Sequence, residues 1–175
     1  MATKAANDVQ DRPADQARML HELLKLSNRL MAPFATHLAD RYRISLNEFR
    51  LLMTIGGLGT TASHEVAEKT GVNVMSVSRA VAALERNGRI SVTTDPANRR
   101  RKSLALTEEG QRLYAIMRPQ SAKVAEYLFS ELDCADVATL DRILGRLIAT
   151  LEARDANGNS RFLESTRPEE NQDLR

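Results

Sequence analysis

Between Val72 and Thr107 a short amphipathic helical pattern runs into an alternating and strongly basic one, and this pairing constrains the chain more than any other stretch. A helix is expected from Asn73 to Asn87, with Val77, Val81 and Leu84 at inward spacing and Ser76, Ser78 and Arg79 outward near its start. Gly88 stops it. Arg89-Ile90-Ser91-Val92-Thr93-Thr94 alternates like a strand, Asp95-Pro96-Ala97-Asn98 has turn composition, and Lys102-Ser103-Leu104-Ala105-Leu106 alternates again. Arg99-Arg100-Arg101-Lys102 fills the hairpin tip. From Arg86 to Lys102, six basic residues (Arg86, Arg89, Arg99, Arg100, Arg101, Lys102) face one acid, Asp95, a local net of +5 in a chain whose total is +2. Charge segregated in this way points to a polyanion bound at one place, and helix plus basic hairpin suits double-stranded DNA.

The residues upstream agree. Ser63-His64-Glu65-Val66-Ala67-Glu68-Lys69-Thr70-Gly71-Val72-Asn73, followed by Val74 to Leu84, has helix-turn-helix spacing. Ala67 is small where two helices cross, Gly71 supplies the turn, Val66, Val72, Val77 and Val81 plug the angle, and Asn73 is a good N-cap. An ordinary helical hairpin has the same spacing; the basic hairpin beside it favours DNA, with a helix in the major groove and a hairpin reaching backbone or minor groove.

The remainder is mostly helical. Residues 1–11 and 155–175 are expected as loose tails. A first helix, in a segment 12–44, starts near Pro13, carries Leu20, Leu23, Leu24, Leu30, Met31, Phe34 and Leu38 on one broad side, and is kinked by Pro33. Within 45–107, Ser45-Leu46-Asn47-Glu48 is a capping-box pattern opening a helix that ends at Gly56-Gly57, and another starts near Thr61 or Ser63. Within 108–154, Thr107 caps a helix that bends at Pro119, and Asp133 or Asp136 opens a last one. There Val137, Leu140, Leu144, Leu147 and Leu151 form a heptad seam widened by Ile143 and Ile148. Such a seam packs either on its own domain or on a second copy; the broad apolar side of the first helix favours a symmetric dimer. The expected fold is mainly α with a small β-hairpin wing.

No signal peptide and no apolar run of membrane-spanning length is visible, and the lone Cys134 fits a reducing compartment, so a cytoplasmic protein is expected. Enzyme chemistry finds no support. His21, His37 and His64 are dispersed, and Gly56-Gly57-Leu58-Gly59 lacks the lysine of a phosphate loop and reads as a loop. No cofactor and no metal is expected.

Gly88, then Asn98-Arg99-Arg100, then Leu106-Thr107-Glu108-Glu109-Gly110 resemble the wing signature of MarR-type winged-helix regulators, over about Pro13 to Arg154. The resemblance implies a dimer joined by its first and last helices, with winged helices in successive major grooves of a pseudo-palindrome. It also implies transcriptional regulation, often relieved by a small aromatic acid or phenol and sometimes by cysteine oxidation. DNA contacts are expected from Asn73, Val74, Met75, Ser76, Ser78 and Arg79 of the recognition helix and from Asn98, Arg99, Arg100, Arg101 and Lys102 of the wing, with Arg100 in the minor groove. The chain departs from the family at three places: Asn98 replaces an aspartate, Arg89 a leucine and Val92 an arginine. Asp95 is a candidate substitute for the missing acid.

Arg79 has two readings, a guanine contact or a phosphate clamp or ion pair to Glu85. Phe34, His37, Arg41 and Arg50 are candidates for an aromatic-acid pocket or, equally, core and surface residues. Cys134 begins the last helix, where a thiol is either oxidisable or passive. The rivals are a winged helix that binds protein without DNA, and a regulator that responds to redox state or to a metal held by His37 or His64 with carboxylates.

Overall fold

Pro33 decides where the first helix ends. It lacks an amide hydrogen and its ring collides with the carbonyl four residues back, so an α-helix cannot pass it undisturbed. In the computed structural model α1, Arg12–Leu30, stops short of it, and α2, Ala32–Phe34, restarts with proline in its first turn. A π turn, Ala35–Ala39, leads into α3, Asp40–Tyr42, which ends at Arg43 in the left-handed region at φ 46°. The expected kink is an interruption at one residue, Met31, which keeps right-handed angles of φ −85° and ψ −11°, and the expected single apolar side is divided. Leu20, Leu23 and Leu24 are exposed on α1, whereas Phe34 and Leu38 enter the core. The structure describes the backbone of residues 12–95 and 98–168 and the side chains of residues 14–94 and 102–168. The expected tails at 1–11 and 169–175 and the Pro96-Ala97 turn lie outside the described residues.

Ser45 and Glu48 form the expected capping box: Ser45 Oγ accepts from the Glu48 amide at 3.3 Å, and Glu48 Oε2 accepts from the Ser45 amide at 2.9 Å. The helix they open, α4 (Leu46–Leu58), passes through Gly56 and Gly57 and ends at Gly59, so the expected stop and the expected loop at 56–59 are both corrected. The reason is packing. A Cβ at Gly56 would collide with the Tyr114 ring, so glycine there admits an aromatic against the helix, while Leu51, Leu52 and Ile55 are wholly buried beneath it.

A two-residue strand, β1 (Thr61–Ala62), precedes α5 (Ser63–Thr70) and α6 (Val74–Arg86). Strands β2 (Ile90–Asp95) and β3 (Asn98–Leu106) follow, giving a three-stranded antiparallel sheet ordered β1-β3-β2. Ile90 pairs with Leu106 and Val92 with Leu104, and this face carries the sheet's apolar side chains into a core with Leu51, Leu52, Ile55, Val66, Val77 and Leu84. α7, Glu108–Leu128, contains Pro119 within an uninterrupted helix and adds Leu113 and Met117 to that core.

The chain divides into two compact units, Met1–Val124 and Ala125–Arg175. In the second, Asp133 caps α8, Cys134–Glu152, by accepting from the Ala135 and Asp136 amides, both at 2.8 Å. None of the α8 side chains is buried; Ile143, Leu144, Leu147, Ile148 and Leu151 are all exposed. Residues 155–168, expected within a tail, are instead folded as far as described. Asp155 holds a tight loop by accepting from the Asn157 and Asn159 amides, and these bonds keep its carboxyl below the usual carboxylate range. Then α9, Arg161–Ser165, follows.

Candidate nucleic-acid interface

The angle between α5 and α6 is fixed by a few local bonds. Gly71 takes φ +64°, a conformation glycine adopts without strain. The Thr70 hydroxyl donates to the Val66 carbonyl at 2.7 Å and accepts from the Val72 amide at 3.3 Å, locking the turn. Asn73 Oδ1 then caps α6 by accepting from the Ser76 amide at 2.9 Å. Val77, Ala80, Val81 and Leu84 are buried, so at 3.6 residues per turn the opposite face of α6 is set. Met75, Ser78, Arg79, Ala82 and Arg86 lie on that outer face and are exposed. Ser76, expected outward, is half-buried on a flank; a residue one before Val77 cannot share the face of Met75 and Arg79. Val74 stands 74% exposed at the helix start. Arg79 forms no ion pair with Glu85 among the described residues.

The wing rises beside this helix. Thr94 pairs with Lys102 and Asp95 with Asn98, so the register shifts there and Arg99, Arg100 and Arg101 form an irregular bulge in β3 instead of a plain tip. The side chains of Asn98, Arg99, Arg100 and Arg101, and that of Asp95, lie outside the described residues. Lys102 is two residues from buried Leu104, hence on the same face of the strand, but beyond the core's edge. Its side chain borders a groove of about 400 Å³ with Val74, Ser78 and Glu85 of α6 and Ser63 and His64 of α5.

Three residues explain how the wing is rooted. Gly88 takes φ +65° after α6. The Thr107 hydroxyl donates to the Gly88 carbonyl at 2.6 Å and accepts from the Gly110 amide at 3.2 Å, clasping both ends of the hairpin while capping α7. A Cβ at Gly110 would collide with the Arg89 carbonyl oxygen, which accepts from the Thr107 amide at 3.2 Å. The glycine–threonine–glycine spacing is thus the geometry of one clasp.

Arg89 requires a correction. Counted among the basic hairpin residues, it points inward: its guanidinium donates to the Tyr42 carbonyl at 2.6 Å and the Arg43 carbonyl at 3.2 Å, with Glu48 Oε1 at 3.9 Å. Its side chain is 11% exposed. The cation closes the carbonyl end of α3 and faces the buried carboxylate of Glu48, and it adds nothing to the outer charge. Sequence reading missed this because the partners lie far upstream; the signal was a lone arginine where the strand's alternation starts.

The four ligand candidates have different surroundings. Phe34 is buried with its ring 4.9 Å from that of Phe49, Arg50 is half-buried and donates to Met31 Sδ at 3.8 Å, His37 is exposed on the π turn, and Arg41 lies 5.6 Å from the Tyr42 ring centroid. Among the described residues no hydrogen bond, ion pair or ring contact joins these four to one another. Nor do three His, Cys, Asp or Glu side chains come together as a metal site, and no helix is long and apolar enough to cross a membrane, again among the described residues. Cys134 is exposed at the start of α8.

An α-helix with an exposed outer face fits a B-DNA major groove about 12 Å wide, and a basic strand pair beside it reaches the backbone. Comparison with known proteins agrees with that geometry. The sequence model of the MarR family matches residues 44–102, from the end of α3 to Lys102. No curated protein matches the chain by sequence. Among solved structures, a MarR/EmrR family regulator from Acinetobacter sp. ADP1 superposes with a TM-score of 0.70 at 23% identity, over 78% of this chain and 96% of its own. Bordetella bronchiseptica BpsR, whose DNA binding is regulated by 6-hydroxynicotinic acid, gives 0.65 at 22% over 74% and 98%. A cysteine-to-serine mutant of E. coli MarR in complex with operator DNA gives 0.63 at 19% over 78% and 96%. At these identities the structures establish the fold, and the matched segment is the one that builds α4 to β3. Residues 44–102, which build the winged helix, match the MarR family model, in a chain with the fold of MarR and SlyA transcriptional regulators.

Proposed function

We propose that the protein is a cytoplasmic, homodimeric repressor of the MarR type that binds a pseudo-palindromic operator and is released by a small aromatic or phenolic acid. One observation carries the DNA-binding reading: the exposed face Met75, Ser78 and Arg79 lies beside a strand containing Arg99, Arg100, Arg101 and Lys102, while the core residues hold α6 in place from behind. Ser78 and Arg79 offer hydrogen bonds to base edges or phosphates, and the wing cations neutralise backbone charge. Dimerisation is supported by exposed leucines on α1 and, separately, by the exposed leucine and isoleucine seam of α8; apolar stripes of this kind favour a second copy. For the effector, Phe34, His37, Arg41 and Arg50 supply an aromatic and cations suited to an aromatic carboxylate, and the aromatic acid acting on BpsR is of the same class.

The test is a titration of duplex DNA, selected from a random pool by the full chain, over a range of salt. Several phosphate contacts give an affinity that falls steeply and linearly on logarithmic axes. Failure to bind any duplex at low salt would leave the protein-binding winged helix as the better reading. Screening aromatic acids for release of the bound duplex tests the effector.

A further inference from the structure

The first turn of α6 carries no acidic residue, although acids are favoured at a helix N-terminus, and it carries two large apolar side chains in the open: Val74 is 74% and Met75 67% exposed. Met75 lies almost opposite the buried stripe of Val77, Ala80, Val81 and Leu84, and the described residues leave it exposed. Around Met75 the surface is polar and cationic, whereas Val74 borders a groove that Ala67, Val77, Val81 and Ala82 also line. Arg79 follows one turn later on the same face, Ser78 lies between the two, and Lys102 borders the groove that Val74 also lines, with Glu85 about 16 Å further along the helix axis from Val74 at 1.5 Å per residue. A protein partner would be met by an apolar patch with this basic surround; a DNA major groove offers both complements at once, phosphates for the cations and one apolar group on its floor. That group is the 5-methyl of thymine, since the other major-groove edges present hydrogen-bond donors and acceptors.

Resting on the DNA-binding reading above, we infer that Met75, flanked by Val74, reads thymine methyl groups in each half-site, making these two side chains determinants of sequence preference beside Arg79. The flexible thioether of Met75 adapts to a methyl in either strand, whereas the stiff Val74 side chain fixes one position.

The experiment takes the tightest duplex selected from random DNA by the full chain and resynthesises it with deoxyuridine in place of one thymidine at a time, which removes a single methyl. Fluorescence anisotropy titrations are expected to show a loss of about fourfold at one or two symmetry-related thymidines per half-site, the equivalent of one buried methylene. The double variant Val74→Ala, Met75→Ala is expected to bind the thymidine duplex more weakly and to be indifferent to uridine at those same positions, a coupling that misfolding would not produce. Tight binding with equal affinity across the uridine series overturns the inference and leaves the regulator reading standing, as does unchanged uridine sensitivity in the double variant. No bound duplex at all overturns both.

Discussion

Arg79 stands on the outer face of α6 and Lys102 on the central strand near its hairpin end, and on the DNA-binding proposal the two cations do different work. A guanidinium on the groove-facing surface of a helix can make a bidentate contact to guanine, so Arg79→Ala is expected to cost about 1–3 kcal/mol of operator binding and to relax preference at one base pair. Lys102, on a strand beyond the core, is expected on that proposal to meet a phosphate. Its replacement by alanine is expected to weaken all sequences alike and to reduce the salt slope by about 1, measured as affinity against salt for the operator and a base-substituted series. Arg100→Ala is expected to weaken binding more than Lys102→Ala, because an arginine entering a narrow minor groove gains from focused negative potential. Equal losses would place Arg100 on the backbone instead. The inward turn of Arg89 sharpens this expectation: with one cation removed from the outer surface, more of the hairpin's attraction for DNA rests on Arg99, Arg100, Arg101 and Lys102.

Elements show where local rules suffice and where they do not. The α4 start, the α6 cap at Asn73 and the stop at Gly88 were legible, and the α8 cap was narrowed to Asp133 or Asp136, because each depends on residues within four positions. The hairpin was legible because its apolar alternation matches the core face. What sequence could not show is set by distant partners. Gly56 continues a helix it was expected to end because Tyr114 lies against it, β1 is too short to alternate, and the inward turn of Arg89 depends on carbonyls of Tyr42 and Arg43. The candidate interface followed the same division: the outward placement of Ser78 and Arg79 was legible from helical period, that of Ser76 was one position off the exposed face, and the bulge at Arg99 to Arg101 depends on strand register. Two substitutions test the distant contacts. Arg89→Ala removes the donors to two carbonyls and is expected to lower stability by roughly 1–3 kcal/mol, read as a lower thermal midpoint. Gly110→Ala places a methyl against the Arg89 carbonyl oxygen and is expected to cost about 1–3 kcal/mol. Gly57→Ala, in the same fold but with only the Tyr114 hydroxyl oxygen 4.0 Å away, is expected to gain up to ~1 kcal/mol from helix propensity. A Gly110→Ala variant as stable as Gly57→Ala would contradict the clasp.

At the scale of the whole molecule, a reading head of this size is short of affinity on its own. On the proposed palindromic operator one helix and one wing would contact half of the site, and a second copy in fixed geometry would turn the other half into an effectively intramolecular contact, worth roughly 10²–10⁴-fold. The exposed stripe on α8 is where that requirement can be tested without touching the DNA surface. Leu144 and Leu147 are 41% and 42% exposed, lie on a helix capped by Asp133, and are absent from the described core. Leu144→Glu with Leu147→Glu keeps good helix formers in place, so helicity by circular dichroism is expected to be retained. Sedimentation is expected to move from twice the 19.5 kDa chain mass to that mass, and affinity for the full operator to fall to that for a half-site. Leu20→Glu with Leu24→Glu makes the same test on α1, where both side chains are 56% exposed. A double-mass species that survives both pairs of substitutions would reject these faces as the interface, and a monomer that still binds the full operator with wild-type affinity would remove the need for a dimer.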